Sequence, residues 1–157
     1  MTELSRGIFH HPVLEYGFRP FFLLGALYSI ASLLVWGGFY AEYVIPPFFM
    51  IDIVSWHAHE MIYGYTMAIV AGFLLTAVAN WTDSVPVRRA PLAGLCALWL
   101  AGRIVMNVDL GLSESSIMVI QGLFIPVLAF SISIPLFKNW NKRNFVFLVL
   151  LSILFAC

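Results

Sequence analysis

Five apolar runs separated by short polar connectors set the pattern of this chain. The first, Phe21 to Tyr40, is uncharged and about 20 residues long, enough for a helix to cross a hydrocarbon core of ~30 Å. Pro20 stands before it, where a missing N–H costs nothing in a first helical turn. Trp36 and Tyr40 near its end suit a membrane–water interface. A connector from Glu42 to Ser55, broken by Pro46 and Pro47, leads to a second span over 57–78, which Asn80-Trp81-Thr82-Asp83 closes. Pro86, Arg88, Arg89 and Pro91 mark the next connector. A third span covers 92–108 and holds Arg103 in its interior; a fourth covers 117–137. Pro126 and Pro135 lie inside the fourth and predict kinks there. The fifth run, 145–157, has 13 residues, which reach only ~20 Å as a helix. The pattern predicts an all-α fold: a polytopic transmembrane helical bundle in one domain, with four full spans and a truncated fifth. On that reading the chain is the N-terminal portion of a longer protein.

Composition agrees. Of 157 residues, 62% are apolar and 10% are charged, whereas soluble domains carry roughly a quarter charged residues. The lipid bilayer is therefore the expected surrounding partner. Formal net charge is zero, which leaves no basic footprint for nucleic acid. Cys96 sits inside a span and Cys157 is the last residue, so neither a disulfide framework nor a cysteine metal motif is indicated. Charge placement also gives an orientation. Outside the spans, Lys and Arg occur in the N-terminal segment (Arg6, Arg19), the second connector (Arg88, Arg89) and the fourth (Lys138, Lys142, Arg143), and never in the first or third connector. The positive-inside rule then predicts a cytoplasmic N-terminus, with the start of the second span at the outer face.

That start carries the densest chemistry in the chain, Trp56-His57-Ala58-His59-Glu60-Met61. Imidazole is the commonest side-chain metal ligand, but polar groups also simply cap membrane helices at the interface. On a regular helix His57 and His59 lie about 200° apart, so both cannot serve one metal. Met61, Gly64, Ala68, Ala71 and Leu75 follow beneath His57, and Tyr63, Thr66, Val70 and Phe73 beneath His59. The smaller face below His57 favours it as a haem ligand by shape, although such a stripe equally allows close helix packing. Glu60, one turn from His57, could orient that ring or be a solvated acid at a helix start. Arg103 lies at a matching depth on the third span, where a charge is costly without a purpose. It could pair with Glu60, meet a haem propionate or snorkel to the interface. His10 and His11 are on the opposite side, and a methionine such as Met50, Met61, Met67, Met106 or Met118 could offer copper a soft ligand.

Four blocks occurring in order give a resemblance. Gly17-Phe18-Arg19-Pro20-Phe21-Phe22, Trp56-His57-Ala58-His59-Glu60-Met61, Ala71-Gly72-Phe73-Leu74-Leu75-Thr76-Ala77 leading to Asn80-Trp81-Thr82, and Ala101-Gly102-Arg103 resemble the hallmark blocks of the NnrS family. Members are polytopic bacterial membrane proteins of about twelve spans that contain haem and copper and are linked to the nitric oxide response and denitrification. The resemblance implies haem and copper as cofactors, nitric oxide as the small molecule met, and the bacterial inner membrane as the location. The imidazoles available for metal are His57, His59, His10 and His11, with Glu60 and Arg103 as supporting groups at the cofactor. The competing expectation, from a different class, is a haem-free transporter or permease in which Arg103 and the proline-broken fourth span line a path.

Overall fold

The computed structural model describes residues 11–43, 52–138 and 146–156. Among these residues a 3-10 turn, Pro12–Glu15, precedes five helices: α1 Phe18–Tyr40, α2 Ile53–Trp81, α3 Ala90–Asn107, α4 Glu114–Lys138 and α5 Val146–Ala156. The first four are long and apolar enough to cross a membrane. The chain is thus a multi-pass helical membrane protein, as its apolar runs predict. Among the described residues there is no strand.

Local chemistry sets where the helices begin. α2 starts four residues earlier than the apolar run suggests, because the Asp52 carboxylate accepts from the backbone N–H groups of Val54 and Ser55 and from the Ser55 hydroxyl. These amides have no partner within the helix. Ser113 does the same for α4, accepting from Ser116 N–H, and Pro91 opens α3 in its first turn. α4 is interrupted between Gly122 and Phe124. Pro126 explains the break, since its ring clashes with the carbonyl four residues before it, that of Gly122. Pro135 is accommodated inside the helix.

α1 and α2 run antiparallel and pack closely. At one end the Phe18 N–H donates to Thr76 Oγ1; at the other the Trp36 ring stacks on His57. Two glycines permit this approach. A Cβ on Gly72 would come within 3.0 Å of the Phe22 ring, and one on Gly64 within 2.6 Å of Tyr28. Ala68, Ala71 and Leu75 are buried in the same core, with Phe21, Leu92, Trp99 and Leu128. The small face beneath His57 therefore receives α1, as the packing alternative expects.

Arg19, Arg88, Arg89 and Lys138 share one end of the bundle. The Arg89 N–H donates to the Leu14 carbonyl, and Glu15 sits 3.4 Å from both Arg88 and Arg89. These pairs are partly exposed and stabilise little, but they tie the N-terminal turn to the α2–α3 connector.

Candidate functional site

Glu60 is the centre of the polar network, and it lies in an unusual stretch of α2. Residues Glu60–Thr66 wind as a π-helix between α-helical Ile53–His59 and Met67–Trp81. Such winding uses i→i+5 bonds and sets the following residues back by about one position per turn, roughly 100°. Groups outside the helix ladder hold it. The Thr66 hydroxyl donates to the Met61 carbonyl five residues back, 2.8 Å, and Trp99 Nε1 on α3 donates to the Gly64 carbonyl, 3.1 Å.

Glu60 is fully buried, 0% exposed, with Arg103 at 5%. Arg103 Nη1 donates to Glu60 Oε2 at 2.5 Å, and the Tyr28 hydroxyl on α1 donates to the same oxygen. Asn107, one turn after Arg103, donates to the Tyr28 oxygen at 3.1 Å and to the Arg103 carbonyl at 2.8 Å. An isolated carboxylate at this depth would be prohibitively costly; pairing with a guanidinium and a phenol offsets that cost. Arg103 thus pairs with Glu60, one of the three expectations for it. Arg103 Nε remains buried without a hydrogen-bond partner among the described residues.

The second carboxylate oxygen decides which histidine this network serves. Glu60 Oε1 lies 3.1 Å from His59 Nδ1, so Glu60 orients His59 and not His57, contrary to the one-turn spacing argument. Adjacent residues meet here because Glu60 reaches inward while His59 stays at the edge of the core, stacked on Tyr63 at 4.8 Å. His59 also lines a cleft of about 310 Å³ with Tyr63, Met118, Gln121 and Leu154. His57 stands apart. Its ring stacks on Trp36 at 4.5 Å, and its Nδ1 is buried without a partner among the described residues, as are Trp36 Nε1 and Trp56 Nε1.

One further histidine is described, and it does not join the site. His11 lies at the opposite end of α1, where its Nδ1 accepts from the Val13 N–H at 3.3 Å; His10 lies outside the described residues. Among the described residues no three His, Cys, Asp or Glu side chains come together as a metal site. The donor set therefore fits one imidazole ligand, with Nδ1 engaged by a buried carboxylate and Nε2 left over, and not a complete coordination sphere. Carboxylate–imidazole pairs of this kind are the usual support of a metal-bound histidine.

Two members of the network escape a reading of the sequence. Tyr28 sits in an uncharged run and looks like packing, and Asn107 looks like a helix end. The usable signal is spacing: Asn107 follows Arg103 by four residues and so shares its face.

No curated protein and no solved structure matches the chain. A family model described as NnrS protein matches residues 12–157, which include α1 to α5 and the whole Tyr28–His59–Glu60–Arg103–Asn107 network; the chain belongs to the NnrS family.

Proposed function

We propose that the chain is part of a haem- and copper-containing protein of the bacterial inner membrane that acts in the nitric oxide response or in denitrification, and that His59 supplies one ligand of its metal centre. The observation that carries this is the contact between His59 Nδ1 and Glu60 Oε1. Glu60 is itself fixed by Arg103 and Tyr28. As an acceptor-only carboxylate it draws the imidazole proton to Nδ1 and leaves the Nε2 lone pair for a metal. Met118 lines the same cleft and offers a thioether of the kind copper takes. A haem or copper ion held there would supply a redox metal that binds nitric oxide; the chain's own residues orient the imidazole, neutralise the buried charge and shield the site from water. His57, His11 and His10 remain candidates for other positions of the coordination spheres.

The cytoplasmic N-terminus also belongs to this proposal. It is supported by the gathering of Arg19, Arg88, Arg89 and Lys138 away from the His59 end. The permease reading loses its main motive, because Arg103 is spent on Glu60 and does not face an open path.

The test is an optical spectrum of the purified protein, oxidised and reduced, with metal analysis. A Soret band that shifts on adding nitric oxide is the expected result. A protein free of haem and copper after expression in a haem-replete host would overturn the proposal.

A further inference from the structure

A second space adjoins the His59 cleft. α2 and α5 enclose a groove of about 450 Å³ walled by Val70, Phe73, Phe147 and Leu150, with Leu154 at one end. Its walls are apolar apart from Thr66, whose hydroxyl is turned back to the Met61 carbonyl. Leu154 belongs to the walls of both the groove and the cleft. At that shared wall the Tyr63 hydroxyl donates to the Leu154 backbone carbonyl across 3.3 Å, which is long for an O–H···O bond. Phe73 and Leu150 are about half exposed, so the groove opens on the outer surface of the described helices.

We propose that this groove is an entry path by which small, neutral, apolar molecules dissolved in the bilayer reach the His59 cleft, with the Tyr63–Leu154 contact as its inner partition. The chemistry of the walls selects the class. An ion or a strongly hydrated solute entering the groove loses its hydrogen bonds to water and finds no replacements. A small apolar molecule loses nothing and is already concentrated in the surrounding hydrocarbon. The volume is ample, since an apolar cavity of roughly 150 Å³ already takes up xenon. A single long hydrogen bond between two helices is a partition that opens with a small movement of α5 or a turn of the Tyr63 ring.

The proposal rests on the role given to His59 only for its purpose, so the test is made on metal-free protein, where loss of the cofactor reading cannot disguise the answer. Xenon is the probe. The protein, with labelled Val and Leu methyl groups and labelled histidine rings, is placed in lipid nanodiscs under xenon pressure, and magnetisation transfer from xenon is recorded. In the wild type, transfer is expected to Val70, Leu154 and His59. Val70→Trp, or Val70→Phe if the larger side chain prevents folding, should remove all three signals (Val70 by its absence). Leu154→Trp should keep the Val70 signal and lose the His59 signal. Absence of xenon at Val70 in the wild type overturns the path, as does persistent transfer from a lipid acyl chain in its place. A His59 signal that survives both variants would show filling from the aqueous side and overturn it equally.

Discussion

Gly64→Ala tests whether the polar network depends on the close approach of α1 and α2. An alanine Cβ would stand 2.6 Å from Tyr28 Cε1 and 3.1 Å from both Tyr28 Cδ1 and Glu60 Oε2. Ordinary contact begins near 3.4 Å, so the Tyr28 ring must retreat by about 0.8 Å. It cannot do so freely. Its edge rests on Trp99, with ring centres 5.6 Å apart, while its hydroxyl holds Glu60 and receives Asn107. Losing a hydrogen bond to a charged group costs about 1.5–3 kcal/mol, and overpacking adds about 1–3 kcal/mol. Higher helix propensity returns about 1 kcal/mol. The net expectation is a destabilisation of about 1.5–5 kcal/mol. Gly94→Ala is the internal control: nothing lies within 4 Å of its would-be Cβ on α3, so it should be neutral or stabilise by up to about 1 kcal/mol. Reversible unfolding in mixed micelles measures both. Equal stability of the two variants would refute the packing argument.

Arg103→Met leaves Glu60 buried and should destabilise by about 3–5 kcal/mol in the same unfolding assay, with much of the loss recovered when Glu60→Leu is added. Asp52 shows a different sensitivity. Its carboxyl is held below the ordinary value of 3.8, first by the Ser55 hydroxyl and then by backbone N–H groups. The cap is therefore fully effective above that value and is lost as pH falls through the lower folded value. Asp52→Ala should abolish this acid-dependent loss of stability in a pH series of thermal melts, and an unchanged acid profile would contradict it. For orientation, Tyr43→Cys, at a position 89% exposed, should react with an impermeant maleimide from outside spheroplasts, and Val85→Cys, at a position 75% exposed, should not. The reverse pattern would overturn the cytoplasmic N-terminus.

The helices were legible because each crossing needs an unbroken apolar run, and the runs ending at Tyr40 and Val78 announce themselves. Their beginnings were less so: Asp52 and Ser113 look like connector residues until their carboxylate and hydroxyl are seen on helix amides. The association of Arg103 with Glu60 was readable as one alternative from their matching depth. Which of His57 and His59 stands beside Glu60 was not. That expectation rested on a regular helical wheel, and the π-helical turn over Glu60–Thr66 shifts every face beneath it. Thr66 reaches back to the Met61 carbonyl from inside that stretch, but Trp99, from another helix, adds a second donor to the Gly64 carbonyl, which the Met67 N–H also reaches. Tertiary partners of this kind are invisible in a one-dimensional pattern.

The central claim, that the Glu60-supported imidazole is a ligand, is tested most directly by haem and copper content per protein in His59→Ala and His57→Ala, measured beside the wild type. His59→Ala should lose haem or copper, while His57→Ala, whose ring is stacked on Trp36 and has no carboxylate behind it, should retain the larger share. Wild-type content in His59→Ala would contradict the account, whichever way His57→Ala behaves.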